Sequence, residues 1–158
     1  MLELRNFHLD EKDDMNRLNA LYEQYYTEVC PPEELAQEIA DLYDEELNAQ
    51  LLEQTRSKEA PHFIMSIEQD GIGIGFISYT IYTEKQLCFI NNFYIAPPQR
   101  NRGLGTAAYG LAEQHARRLG VLLIRLEPEE RAIPFYLRSG FEKSGKTKEG
   151  EPVLCKAL

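Results

Sequence analysis

The sequence predicts an α/β chain: a central mixed, mostly antiparallel sheet of about seven strands flanked by four helices. Three observations carry that reading. Before Pro61, two long stretches repeat apolar residues at helical spacing. Elsewhere, seven short segments alternate or run apolar as strands do. The strands on either side of a helix opening near Gly103 form one β-α-β crossover, which must be parallel and right-handed, while the remaining neighbours meet in antiparallel hairpins. With 158 residues the chain reads as one domain over 1–158.

The elements follow in order. Leu2 to Phe7 alternates as a short strand. Asp10 offers an N-cap for a helix whose face carries Met15, Leu18, Leu21, Tyr22, Tyr25, Tyr26 and Val29. Pro31-Pro32 ends it, and Pro32 suits the first turn of a second helix bearing Leu35, Ile39, Leu42, Tyr43, Leu47 and Leu51. The period then changes. His62 to Glu68 and Gly73 to Tyr82 read as strands joined by Asp70-Gly71, a hairpin signal. Glycines 71, 73 and 75 read as hairpin geometry. Gln86 to Ile95 is the next strand. A helix from Gly103 to Leu119 ends at Gly120, and Val121 to Leu126 is a buried strand. Arg131 to Ser139 is a short helix. Phe141 to Thr147 and Pro152 to Ala157 pair across Glu149-Gly150.

Composition narrows the function. Hydrophobic residues make up 43% and charged residues 27%, as in ordinary soluble proteins. No apolar run reaches the ~20 residues that cross a bilayer, and the N-terminus lacks a signal-peptide profile, so a soluble, cytoplasmic protein without membrane partners is expected. Cys30, Cys88 and Cys155 are scattered and odd in number, and His8, His62 and His115 are equally dispersed; neither a disulfide framework nor a metal site is expected. The net charge of −9 argues against nucleic acid as a partner. Residues 1–60 hold 16 acidic and 5 basic residues, so the first third is an acidic block. Such a block either solvates two helices or steers a cation, with Asp41, Asp44 and Glu45 as steering candidates.

The densest chemistry lies at Ile95-Ala96-Pro97-Pro98-Gln99-Arg100-Asn101-Arg102-Gly103-Leu104-Gly105-Thr106. A strand stops at two prolines, a basic loop follows, and two glycines open a helix. Free N–H groups at a helix start bind anions, and glycine lets a phosphate come close; a pyrophosphate is the natural ligand. A nucleotide P-loop is excluded because no Gly-Lys-Ser/Thr follows the glycines. Gly103-Leu104-Gly105-Thr106-Ala107-Ala108 satisfies the dinucleotide pattern, with Glu127 as its acidic residue. However, seven residues separate strand from glycine, and about 30 residues after Glu127 are too few for a doubly wound sheet.

The Arg100-x-x-Gly103-x-Gly105 loop resembles the acyl-CoA pyrophosphate loop of the GNAT superfamily of acyl-CoA-dependent N-acyltransferases. Ala132-Ile133-Pro134-Phe135-Tyr136-Leu137-Arg138-Ser139-Gly140-Phe141 resembles that family's A-x-x-F-Y-x-x-x-G-F block. The element order is similar along the whole chain. Two positions depart from the pattern. Glu129 stands where the family often has asparagine, and Asn91 and Asn92 stand where a carboxylate often lies.

The resemblance implies an N-acetyltransferase that moves an acetyl group from acetyl-CoA to a primary amine by direct attack in a ternary complex. Arg100, Asn101, Arg102, Gly103, Leu104, Gly105 and Thr106 would hold the cofactor. Ile95 would offer its backbone to the pantetheine arm, and Tyr136 would be the general acid. No general base follows from the resemblance. Asn91 and Asn92 cannot take a proton but can orient a water; Glu127 and Glu84 are the ionisable candidates. The acidic block points to a small cationic amine or a basic peptide terminus as acceptor. The alternative is a non-catalytic acyl-CoA-binding regulatory domain. The sequence leaves a homodimer open.

Overall fold

The computed structural model describes residues 1–158. In chain order the elements are β1 (Leu2–Asn6), α1 (Lys12–Val29), α2 (Pro32–Leu42), α3 (Glu45–Thr55), β2 (His62–Gln69), β3 (Ile72–Tyr82), β4 (Leu87–Ile95), α4 (Leu104–Arg118), β5 (Leu123–Leu126), α5 (Ile133–Arg138), β6 (Glu142–Lys146) and β7 (Pro152–Ala157). The seven strands form one sheet in the order β1-β2-β3-β4-β5-β7-β6. Only the β4–β5 pair is parallel. Every other neighbouring pair is antiparallel.

Five helices are present where four were expected. The second predicted helix breaks at Tyr43, and Asp44 starts a new one by accepting the Leu47 N–H on its side chain at 2.9 Å. A residue that can satisfy an orphan N–H initiates a helix more readily than it continues one. Asp10 is not a cap: the helix enters at Glu11 without a side-chain cap. Asp14, inside the first turn, reaches back instead to the His8 N–H at 2.7 Å. Asp70-Gly71 makes the predicted turn, both residues having positive φ (52° and 81°). Gly75 has a different task. A Cβ there would lie 2.0 Å from the Tyr94 carbonyl oxygen, so glycine is what lets β3 and β4 stay together to the end of β4.

The sheet is covered on both faces, which is why β2 is buried over five consecutive residues, Ile64 to Glu68. On one face α4 and α5 pack Ala108, Tyr109, Ala112, Ala116 and Tyr136 against Met65, Ile67, Ile77, Tyr79, Ile124 and Leu154. On the other, α1 packs Leu18 and Tyr22 against Phe7, Ile64, Phe76 and Tyr94. An ion cluster pins the start of α1 as well. Asp14, 6% exposed, receives Arg5 and Arg17, and Arg5 also donates to Glu68 at 2.7 Å.

Leu18 is the anchor of this smaller core and is 1% exposed. Leu18→Ala is expected to lower the unfolding free energy by about 3 kcal/mol, since it deletes buried methyl groups and leaves a cavity. Urea unfolding of the two proteins checks this; a loss under about 1 kcal/mol means that α1 is not held through this core.

Candidate active site

Strands β4 and β5 pair over only three residues, Leu87–Phe89 with Leu123–Arg125. Beyond them the two strands part. β4 continues against β3 as far as Ile95, while β5 leads at Leu126 into the segment Glu127-Pro128-Glu129. Asn91 is an extra residue on β4: Ser78 faces Asn92 and Tyr79 faces Ile90, so the strand bulges between them. The wedge between the parted strands is a cleft of about 510 Å³.

One end of the cleft is built from the predicted glycine turn. A 3-10 turn, Pro97–Gln99, carries the chain from β4 to α4. From Asn101 to Thr106 no backbone N–H has a backbone acceptor. Asn101 and Gly103 adopt positive φ (61° and 76°), and open space surrounds the position of a Gly103 Cβ. α1, α2 and α3 each carry acidic residues in their first turn, whereas α4 carries none. The positive end of α4 and six N–H groups without a backbone acceptor are therefore available to an anion, with no acidic residue in that turn to compete. These residues fit a pyrophosphate. Arg138, one helical turn from Phe135, belongs to this end, because Phe135 packs on Gly105 at the start of α4.

The opposite end is built by α1 and the segment after β5. Tyr25 donates to Glu129 Oε1 at 2.9 Å. Arg131 donates to Glu129 Oε2 at 3.2 Å and to Glu28 at 2.5 Å. Arg100 donates two bonds to Glu28 at 3.0 and 2.8 Å and a third to the Ile95 carbonyl at 2.8 Å, with its guanidinium over the Tyr94 ring. Burial works against ionisation of Glu28, and the hydrogen bonds from Arg100 and Arg131 outweigh it, holding that carboxyl below its usual range. Asn92 Oδ1 accepts from both Tyr22 at 3.2 Å and Ser78 at 3.3 Å. Asn91 Oδ1 accepts from Thr80 at 3.1 Å.

Tyr136 stands between the two ends. It is 5% exposed, it lines the cleft, and no side-chain hydrogen bond holds its hydroxyl. Burial first, then the neighbouring Tyr25 and Glu129, push its pKa upward. The phenol therefore stays neutral and keeps a proton to give.

Residues 15–141 match the model of the acetyltransferase (GNAT) family. This chain belongs to the GNAT acetyltransferase family. Solved structures agree on the fold. The PaiA N-acetyltransferase of Thermoplasma acidophilum, in complex with coenzyme A, is 19% identical over 100% of this chain and 99% of its own, with a TM-score of 0.78. A ribosomal-protein alanine N-acetyltransferase from Escherichia coli is 16% identical over 100% and 94% (TM-score 0.64). N-acetylglutamate synthase from Neisseria gonorrhoeae, complexed with coenzyme A and N-acetyl-glutamate, is 13% identical over 100% of this chain and 35% of its own (TM-score 0.70). No protein of curated function matches the sequence.

Of the residues singled out from sequence, Asn91, Asn92, Ile95, Arg100, Asn101, Gly103, Gly105, Thr106, Glu127 and Tyr136 line the cleft. Arg102 turns out to Gln99 at 2.8 Å, and Leu104 packs on the core. Glu84, Asp41, Asp44 and Glu45 lie elsewhere; Asp41 bonds Gln37 and Asp44 caps α3. His62 bonds Thr80 and His115 bonds Tyr79, both away from the cleft. The functional reading of the sequence missed Tyr25, Glu28, Arg131 and Arg138. Tyr25 sits at core spacing on its helix, and Glu28 is far in sequence from the loop that it braces.

Glu28 gives a pH test. A carboxyl held low in the folded chain contributes stability that is full above the unfolded value of about 4.3 and is lost as pH falls through the folded value. Glu28→Gln should therefore cost stability at pH 7 and little at pH 3. Denaturant midpoints at both values check this; an equal difference at the two would show that ionised Glu28 does not brace the fold.

Proposed function

We propose that this protein is an acetyl-CoA-dependent N-acetyltransferase acting on a primary amine, by direct attack within a ternary complex. The observation that carries the proposal is Tyr136, a buried ring whose hydroxyl carries no hydrogen bond, in the lining of a cleft that also holds a ready anion cradle and a carboxylate-bearing end.

The geometry supports the following roles. The N–H groups of Asn101 to Thr106 and the start of α4 hold the pyrophosphate of acetyl-CoA. The unpaired edge of β4 near Ile95 offers backbone groups to the extended pantetheine arm. Arg100, in the cleft lining, bonds the Ile95 carbonyl and Glu28 and so ties the loop to α1. When the amine attacks, the thioester carbonyl passes to a tetrahedral centre and sulfur must leave. A thiolate is a weaker base than a phenolate even at the ordinary values of ~8.5 and ~10, and burial of Tyr136 widens the gap, so proton transfer from Tyr136 is uphill alone. It proceeds as the amide nitrogen returns a proton to the phenol.

The acceptor is a small cationic amine or a basic peptide terminus. What supports this is the pair Glu127 and Glu129 at the acceptor end; the acidic block of residues 1–60 does not supply it. Cytoplasmic activity is part of the same reading.

The first test follows free thiol release from acetyl-CoA in the presence of diamines, polyamines, lysine- and alanine-terminated peptides, and anionic amino compounds. Release with cationic primary amines is expected. Tight acetyl-CoA binding with no release for any amine means a non-catalytic binding domain. In an active protein, Tyr136→Phe should lower turnover by ~10²–10⁴-fold with acetyl-CoA affinity nearly intact. Unchanged single-turnover rates would return Tyr136 to a packing role. Gly103→Glu should abolish acetyl-CoA binding by calorimetry, because its carboxylate enters the phosphate space from a backbone position at φ 76°. Retained affinity there would place the pyrophosphate elsewhere.

A further inference from the structure

We infer that the side-chain amides of Asn91 and Asn92 bind an oxygen of the acceptor, which is therefore an amine whose own carbon carries a carbonyl group, as at a peptide N-terminus; this narrows the acceptor and rests on the acetyltransferase reading above. The pair comes from the bulge in β4. Successive residues of a regular strand point to opposite faces of the sheet. Here Asn92 bonds Ser78 and Asn91 bonds Thr80, and Ser78 and Thr80, alternate residues of β3, share one face. The extra residue thus brings two neighbouring amides to the same face, the one covered by α1, whose Tyr22 also meets Asn92.

The hydroxyls around Asn92 decide which way its amide points. Tyr22 and Ser78 are buried, burial keeps the Tyr22 phenol neutral, and each hydroxyl has one proton to give. Both protons go to Asn92 Oδ1, at 3.2 and 3.3 Å. With the amide turned over, one hydroxyl would donate to the other and the last proton would have no acceptor, which burial penalises. The Asn92 nitrogen is therefore left for the cleft that the residue lines. It adjoins the Tyr25 oxygen, whose own proton is given to Glu129. Asn91, also in the lining, takes the Thr80 proton on its Oδ1 at 3.1 Å and keeps its nitrogen free.

An amide NH2 donates and does not accept. It offers nothing to an ammonium, and an amine held there through its lone pair could not attack. Its partner is an oxygen. A neutral carbonyl fits better than a carboxylate, because Glu127 and Glu129 line the same cleft while Arg100 and Arg131 are bonded to Glu28. Asn92 and Glu129 flank one hydroxyl, that of Tyr25, so the site for oxygen and the site for the charged nitrogen are neighbours. An α-amino carbonyl supplies both groups at that spacing, and a polyamine supplies no oxygen.

The test compares alanine amide, alanine and isopropylamine at equal concentrations of free amine. Wild-type kcat/KM should favour alanine amide over isopropylamine by about tenfold or more, the worth of one or two hydrogen bonds, and should favour it over alanine too. Asn92→Asp keeps the oxygen that Tyr22 and Ser78 need and puts a carboxylate where the donor was. It should lower the ratio of alanine amide to isopropylamine by about tenfold or more, chiefly through KM, with acetyl-CoA affinity within about twofold. Asn91→Ala, which gives up only the Thr80 bond, should lower the same ratio by less. A wild type without preference for the carbonyl, or an unchanged ratio in Asn92→Asp, overturns the inference and leaves the amides to water. Preference for alanine over its amide overturns the choice of a neutral carbonyl, and loss of acetyl-CoA affinity in both variants assigns the amides to the cofactor instead. If no amine is turned over, calorimetry of an alanine-terminated peptide on the coenzyme A complex separates the two readings. Binding that Asn92→Asp abolishes sustains the oxygen site and refutes the acetyltransferase reading alone; no binding refutes both.

Discussion

The parting of β4 from β5 after three paired residues is the constraint on which the site depends. A parallel pair that continued would have closed the sheet and left no cleft. Gly75 ensures that the opening occurs on one side only, since it lets β3 follow β4 to Ile95 while β5 turns away. The bulge at Asn91 bends the same strand where the wedge begins. Backbone groups on the freed edge of β4 must then find partners outside the sheet, and a bound extended chain is the partner that a free strand edge fits. The starts of α4 and α5 reach this wedge because β4 and β5 end there, and the later part of α1 reaches it through Tyr25.

Charge arranges the site in a second way. The protein is acidic, and of the two acids that line the cleft Glu127 is unpaired while Glu129 is bonded by Tyr25 and Arg131. Arg100, Glu28, Arg131 and Glu129 alternate in sign along a chain of hydrogen bonds from the loop before α4 to the segment after β5. Glu28 binds two arginines at once, so α1 and the loop are fixed to each other through one carboxylate. Partly buried, multiply bonded pairs of this kind hold geometry better than isolated surface pairs. The loop's own N–H groups stay without a backbone acceptor, while Arg100 is bonded to the Ile95 carbonyl and Glu28.

The sheet, its single parallel crossover and both glycine-rich motifs were legible in the sequence because each rests on local signals: period two against period 3.6, Asp70-Gly71, and glycines at a helix start. The break between α2 and α3 was missed because Leu42, Tyr43 and Leu47 keep helical spacing across it; the cap at Asp44 won over the period. Tyr136 was found by its motif. Tyr25, Glu28 and Arg131 were not, because their roles arise from contacts across about 70 to 100 residues of sequence. The bulge at Asn91 and the short β4–β5 pairing belong to strand register, which no single segment announces.

Backbone hydrogen exchange, with and without coenzyme A, tests the central claim most directly. The account holds that the ligand lies in the wedge, its pyrophosphate on the N–H groups of Asn101 to Thr106 and its arm along the end of β4. Coenzyme A should therefore slow exchange in Asn101 to Thr106 and from Asn91 to Ile95, and leave β1, β2 and β6 unchanged. Saturating coenzyme A with no protection in the loop, or protection centred on another face of the sheet, would contradict it.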